Sequence, residues 1–396
     1  MKRVYQLFLA LLTVLLTCNL TSCSTTNDLY ILNWDEYIDQ DLITMFEEEY
    51  NCNVILDIAQ SNETMFSKIM SDAAPYDIAF PSDYMIGQML LCDEKGVEVP
   101  LIKKLNNNSE IKLENYNIDA FDPKLIGLVN ELNQNNDYCN LLDYCVPYFW
   151  GSLGIMYNTE TLSLAQQDII KEKGWAVLFE KDLLGDVKIG MYASARDSIA
   201  SALLYKGYSL NTTNPNELAE AEAALKQMSY SAWATDDLKT GVASGKYDLA
   251  LVYSGDFFDM KYTAYDDGKT ATFDMVVPEN NNVFFDAMVI PNNSMNTELA
   301  CKFIDFMLDT ERTITKVEDD ESVYEIQGVA LTNASYVGYC PTLSWVKEQM
   351  VGEEGIEGIT DLEVYDPSNV DNGEIYKYLG TSTYELYDKI YKKVKK

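Results

Sequence analysis

No histidine occurs in the 396 residues. Its absence removes Ser/His/Asp triads, Cys/His dyads, HExxH metal sites and every imidazole acid–base mechanism, so chemistry in this chain would rest on carboxylates, tyrosines, lysines or thiols. Positive charge is also scarce: 29 Lys and Arg stand against 63 Asp and Glu, a formal net charge of −34 at pH 7. A chain of that sign repels phosphate backbones and anionic headgroups and attracts cations, which excludes nucleic acid as a partner. Prolines number only 10, and neither a low-complexity segment nor an internal repeat is present. With 47% hydrophobic and 23% charged residues, the composition is that of a folded globular protein. One core rarely organises this length, so two or three domains are expected. No CxxC spacing points to zinc or redox chemistry.

Long apolar runs are missing beyond the N-terminus, where none reaches the roughly 18 residues of a membrane span. MKR is a short basic start and Val4 to Leu16 is almost wholly apolar, so residues 1–22 read as an export signal. Leu20, Thr21, Ser22 and Cys23 then resemble a bacterial lipobox, with Cys23 as the lipid-bearing thiol and residues 23–27 as a lipidated linker. Cys18, in the run LLTC, fits less well because a threonine directly precedes the cut. The rest of the chain is thus expected outside the cytoplasm, in the periplasm or on the outer face of the cytoplasmic membrane, with the lipid as its only membrane contact. A plain secretory signal with an incidental cysteine is the simpler alternative. Cys52, Cys92, Cys139, Cys145, Cys301 and Cys340 are too scattered for a disulfide scaffold and read as buried free thiols. Cys139 and Cys145 are the one pair close enough in sequence to consider as a bridge.

What is there is a repeating run of strand and helix signals. LYIL (29–32) is a short apolar run, and Leu42, Ile43 and Phe46 recur at helical spacing through DLITMFEEEY. NVILDI, a helix marked by Met65, Phe66 and Ile69, and the strand YDIAF (76–80) follow. The pattern restarts after VPYFWGSLGIMYN with VKIGMY, helices over 195–206 and 217–228, and YDLALVY. FFDAMVIP (284–291) predicts a further strand and 298–308 a helix; residues 309–325, containing VEDDES, read as an exposed acidic insertion, and the lysine-rich end as a closing helix. Strands alternating with helices predict an α/β fold with two lobes.

In open α/β sheets ligands bind beyond the carboxyl ends of the strands. Those positions carry NWDEY (33–37), PSDY (81–84), ASARD (193–197), SGD (254–256) and FFD (284–286), so each tip offers an aromatic ring, a carboxylate or both. Any one of these residues alone would be an ordinary packing ring or helix cap. As a set they suit an amine cation, which needs a carboxylate to neutralise and hydrogen-bond it and ring faces worth about 0.5–2 kcal/mol each. Asp39, by contrast, reads as the start of a helix on the outside.

LYILNWDEY, SNETMFSKI, YDIAFPSDY, VPYFWGSLGIMYN, SARDSIASALLYKGYSLNTTNP, FFDAMVIP and LYDKIY, in this order, resemble the spermidine/putrescine-binding proteins of bacterial ABC transporters over nearly the whole mature chain. The resemblance implies a two-lobe periplasmic-binding-protein-like fold of type II, each lobe a mixed sheet flanked by helices, with a polyamine clamped in the cleft between them. Residues 28–153 with 285–347 would form one lobe and 154–284 with 348–396 the other. By position it places Trp34, Asp35, Tyr37, Ser82 and Tyr84 on the first lobe's side. Asp197, Thr235 and Tyr253 follow from the second, Phe284 and Asp286 lie near a crossover, and Tyr339 and Tyr376 close the cavity. Tyr253 and Phe284 stand where the family often has tryptophan, Ser194 where an aspartate often recognises an amine, Asp35 where threonine is found, and Tyr376 where glutamine can sit. The resemblance further implies a monomer without cofactor or metal that catalyses nothing and hands its cargo to permease subunits driven by a cytoplasmic ATPase. Rival readings are binding of another organic cation or of ferric iron on the same fold, and a carboxylate-pair glycosidase. The iron reading is disfavoured because no Tyr-Tyr dipeptide occurs among the 28 tyrosines.

Overall fold

The computed structural model describes residues 27–71, 75–90, 100–105, 111–134, 140–317, 323–352, 355 and 359–395. The export signal, Cys23, Cys92 and Cys139 lie outside them. The described chain opens with β1 (Asp28–Asn33), α1 (Gln40–Tyr50), β2 (Asn53–Ile58), α2 (Asn62–Met70), β3 (Ile78–Ala79) and α3 (Asp83–Leu90). Local chemistry sets these boundaries. The Asp39 carboxylate accepts from Asp41 N–H at the start of α1, Asn51 ends that helix in the left-handed region at φ 47°, and Ser61 caps α2 through Thr64 N–H. The three strands form a parallel sheet in the order β2–β1–β3, with Ile31 opposite both Leu56 and Ile78. Leu42, Ile43 and Phe46 turn the apolar stripe of α1 inward.

The chain continues through α4 (Pro123–Gln134), β4 (Val146–Asn158), α5 (Leu164–Lys173), β5 (Ile189–Tyr192), α6 (Ala195–Tyr205), α7 (Pro215–Lys226), β6 (Ala232–Ala234), α8 (Asp237–Ala243), β7 (Leu249–Tyr253) and α9 (Ser254–Asp266). After β8 (Phe273–Val276) and β9 (Val283–Met288) come α10 (Thr297–Met307), β10 (Thr313–Val317), β11 (Val323–Gln327), α11 (Val329–Val337), β12 (Cys340–Pro341), α12 (Ser344–Met350), α13 (Leu362–Tyr365) and α14 (Thr381–Val394).

All 13 residues of β4 are buried. Its first half, Val146 to Ser152, pairs antiparallel with β9, and its second half, Leu153 to Asn158, runs between β7 and β8. β5 pairs parallel with β6 and β7, so this second sheet is mixed. β9 also touches the first sheet through bridges from Val289 to Ala79 and from Asp286 to Ser82. Side chains alternate as a pleated strand requires: Leu153, Ile155 and Tyr157 enter one apolar core with Leu249 and Leu251, whereas Met156 faces the core shared with Ala250 and Val252.

Within residues 309–325, β10 and β11 pair as an antiparallel hairpin that leaves Val323 and Tyr324 exposed, in line with an exposed insertion, while Ile314 and, just beyond the range, Ile326 are buried. One expectation needs correction. Asp39 caps its helix but is only 5% exposed, and Lys316 from that hairpin reaches it at 2.5 Å. Of the cysteines described, Cys145, Cys301 and Cys340 are buried free thiols and Cys52 is half-buried.

Candidate functional site

The tips of β1 and β3 meet β9 at Asp286. Ser82 follows β3 and donates its hydroxyl to Asp286 Oδ1 at 2.6 Å, while the Tyr37 hydroxyl donates to Oδ2 at 2.8 Å. Asn62 fixes the serine by donating Nδ2–H to Ser82 Oγ at 2.9 Å and accepting Ser82 N–H at 3.0 Å, which leaves the serine proton for the carboxylate. Asp286 is 6% exposed. Burial pushes its carboxyl up to about 6, and the donors Ser82 and Tyr37 oppose that rise only in part.

A second carboxylate lies at the end of β5. Asp197 stands in the first turn of α6, where the Ser194 side chain accepts its N–H at 3.2 Å, so the serine found in place of an aspartate is occupied as a helix cap. Tyr376 donates its hydroxyl to Asp197 Oδ1 at 2.9 Å, and the Tyr253 hydroxyl acts on the same carboxylate. Burial raises the Asp197 carboxyl above its ordinary range against the pull of Ser194, Tyr253 and Tyr376. Arg196 stacks over the Tyr376 ring at 4.5 Å and is held by Asn211 Oδ1 at 2.6 Å.

Aromatic rings join the two carboxylates. Tyr37 meets Tyr339 edge-on at 5.7 Å, Tyr339 meets Phe284 at 6.1 Å, Phe284 meets Tyr253 at 4.9 Å, and Tyr253 meets Tyr192 at 5.2 Å. Glycine allows the close approach at two points. A Cβ on Gly151 would lie 2.7 Å from the Phe284 ring, and one on Gly255 would lie 2.1 Å from the Tyr339 ring. Tyr84 faces Tyr376 at 6.2 Å and donates to Glu63 Oε1 at 3.1 Å, an oxygen that also takes the hydroxyl of Tyr384 from α14. Burial first, and the neighbouring carboxylates second, push the phenols of Tyr37, Tyr84, Tyr253 and Tyr376 well above their ordinary value, so they stay protonated donors.

The structure therefore brings together Tyr37, Ser82, Tyr84, Asp197, Tyr253, Phe284, Asp286, Tyr339 and Tyr376. It does not bring in all the others: Asp35 and Thr235 are exposed in turns, and Trp34 packs half-buried against the first core with its Nε1–H unpartnered. Residues not singled out as site residues are Tyr192, Glu63 and Tyr384. Tyr192 ends a strand as its neighbours do, and Glu63 lies inside SNETM, so both carried a positional signal; Tyr384 had none. Elsewhere, a groove of about 1030 Å³ between α5, β8 and residues 360–364 contains none of these residues. No helix among the described residues is long and apolar enough to cross a membrane.

The profile of the bacterial extracellular solute-binding protein family matches residues 41–334. The spermidine/putrescine-binding periplasmic protein of Escherichia coli K12 is 28% identical, with 93% of this chain and 92% of that one covered. A putrescine-binding periplasmic protein of Pseudomonas aeruginosa is 27% identical over 78% of this chain and 82% of its own. Among solved structures, one from Listeria monocytogenes aligns with a TM-score of 0.71 at 30% identity, covering 93% of this chain and 99% of that one. The spermidine/putrescine ABC transporter substrate-binding protein of Streptococcus pneumoniae aligns with a TM-score of 0.67 at 28% identity, covering 93% and 100%.

Proposed function

The chain belongs to the bacterial extracellular solute-binding proteins, and from that premise we propose that it captures a polyamine, spermidine or putrescine, and delivers it to the permease of an ABC transporter. The observation that carries this reading is the pair of buried, hydroxyl-held carboxylates, Asp286 and Asp197, joined by a continuous series of rings. A flexible chain with an ammonium at each end matches that arrangement: each carboxylate takes one charge, and the methylenes and ammonium hydrogens lie on ring faces. Residues 28–153 with 285–347 and 154–284 with 348–396 act as two lobes that close on the cargo, the closed form being favoured by the contacts that only it makes. Trp34, Asp35 and Thr235 line the open form and approach the ligand on closure. The protein is a monomer, held to the outer face of the membrane by a lipid on Cys23, and it performs no reaction. Ferric iron fits poorly, because it would need phenolates and the cleft tyrosines are held protonated.

Calorimetric titration of residues 27–396 with spermidine, putrescine, ferric iron and maltose tests the reading. Heat with at least one polyamine and none with iron or maltose is expected; silence with both polyamines overturns it. Mass spectrometry of the full-length chain and of Cys23→Ser tests the anchor separately, since a lipid that persists on the variant would move the attachment to Cys18.

A further inference from the structure

Capture of an amine gives carboxylates a task, yet the same end of the cleft buries a cation. Arg196 is 7% exposed, and a guanidinium stays charged at every pH of interest. It bonds only neutral acceptors among the described residues, Asn211 Oδ1 at 2.6 Å and the Lys377 carbonyl at 3.3 Å, and its Nε–H has no partner. Its carbon lies 4.5 Å from the centre of the Tyr376 ring and 5.4 Å from that of Tyr387. Burying a charge without a bonded counter-ion is costly, so its effect must be sought in what surrounds it. Asp197 is the next residue in α6, and Asp83 of α3 is 1% exposed. Burial pushes both carboxyls up, and the Arg196 charge opposes that rise in each. Asp83 is already occupied, since its two oxygens accept Tyr84 N–H at 2.6 Å and Phe285 N–H at 3.3 Å. The other titratable groups that face Asp197 are phenols, Tyr192 of β5, Tyr253 of β7, Tyr84 of α3, Tyr384 of α14 and Tyr376, all pushed up by burial and therefore neutral between pH 6 and 8.

We propose that Arg196 is a positioning residue for the end of the cleft at Asp197: it seats the Tyr376 ring whose hydroxyl reaches that carboxylate, and its fixed charge stands in for the cargo's ammonium until cargo arrives. A proton and an ammonium compete for the same buried carboxylate. Arg196 disfavours both, but before capture the proton is the competitor that matters, because a protonated Asp197 offers an ammonium no charge to pair with. With Arg196 in place, Asp197 stays ionised to lower pH. Without it the carboxyl holds its proton more firmly in acid, while at higher pH the ammonium no longer meets a neighbouring positive charge. Both effects steepen the pH dependence of capture, so Arg196 is what flattens it. This inference rests on the polyamine reading given above.

The test compares spermidine and putrescine titrations at pH 6 and pH 8 of the wild-type chain, Arg196→Met and Arg196→Lys. Methionine fills the space between the two rings without a charge, lysine keeps the charge, and melting verifies that each variant folds. In Arg196→Met the ratio of affinity at pH 8 to that at pH 6 is expected to exceed the wild-type ratio by about fivefold or more, and in Arg196→Lys to stay within about twofold of it. Asp286, which also titrates near pH 6, is common to all three chains and cancels in the comparison. A loss of packing alone would weaken binding equally at both pH values. An unchanged ratio in Arg196→Met, or a rise in Arg196→Lys as large as in Arg196→Met, would overturn the inference while leaving the polyamine reading intact. Should the methionine variant not fold, Arg196→Gln is read in the same way. Arg196→Met in an Asp197→Asn chain locates the effect: a ratio that no longer rises supports the inference, and one that still rises points to Asp83 and overturns it. A wild-type chain that binds neither polyamine at either pH would overturn the polyamine reading itself.

Discussion

Asp286 illustrates how burial makes a binding residue costly to keep. Its carboxyl ionises near 6 in the folded protein instead of 3.8, with burial as the main cause. A carboxylate raised in this way favours the folded state below about pH 4 and loses that contribution as pH rises to about 6, a difference of roughly 3 kcal/mol at neutral pH. Asp286→Asn is therefore expected to melt at a higher temperature than wild type at pH 7 and to bind polyamine at least about a hundredfold more weakly, because a buried ammonium loses its partner. The exposed Glu48→Gln, on the outer side of α1, should lose less than about tenfold. Thermal melts from pH 4 to 7.5 together with calorimetry check both; a variant that melts lower at pH 7 and binds normally contradicts the assignment. Affinity for polyamine should also fall as pH drops through 6. At this scale the sequence was legible where position at or after a strand end was the signal, as for Asp197 and Tyr253. It was not legible for Asp39, whose burial comes from a lysine 277 positions away.

Two elements hold the cleft from outside. The β10–β11 hairpin sends Lys316 to Asp39 and Asp41, at 2.5 and 2.7 Å, and with it covers the start of α1. Lys316→Met leaves Asp39 buried with its principal cation removed, so a loss of about 3 kcal/mol is expected in denaturant unfolding, with polyamine affinity in the residual folded protein near normal. Its strand pattern was hidden because only Ile314 and Ile326 point inward while VEDDES dominates the local composition. Glu63, at the start of α2, receives hydroxyls from Tyr84 and from Tyr384 of α14. Glu63→Ala should speed polyamine release by about tenfold in stopped-flow fluorescence, whereas Glu63→Gln keeps an acceptor for both hydroxyls and should change it less. Equal rates in the two variants would mean that the carboxylate charge, and not the bridge, matters. That bridge joins residues 321 positions apart, which no local periodicity could reveal.

Across the whole molecule, the net charge of −34 draws cations from a distance. Spermidine association should slow by on the order of tenfold between 10 and 200 mM salt while dissociation changes little, since screening acts on the approach more than on a closed, desolvated pair. Salt-independent association would indicate that local contacts alone govern capture. The alternation of strands and helices made the α/β architecture legible, and the mixed second sheet follows from β4 running antiparallel to its neighbours. That strand has a consequence for how the protein can be made and unmade. Because its first half pairs with β9 and its second half with β7 and β8, no cut through the chain near residue 152 leaves either half of the strand with its partners in the same short fragment. Neither half should therefore fold when expressed alone, and heat should unfold the whole in one calorimetric transition, with equal van't Hoff and calorimetric enthalpies. An axle of this kind also forces the ribosome to deliver the chain as far as β9 before the first half of β4 has its partner strand, so folding awaits most of synthesis.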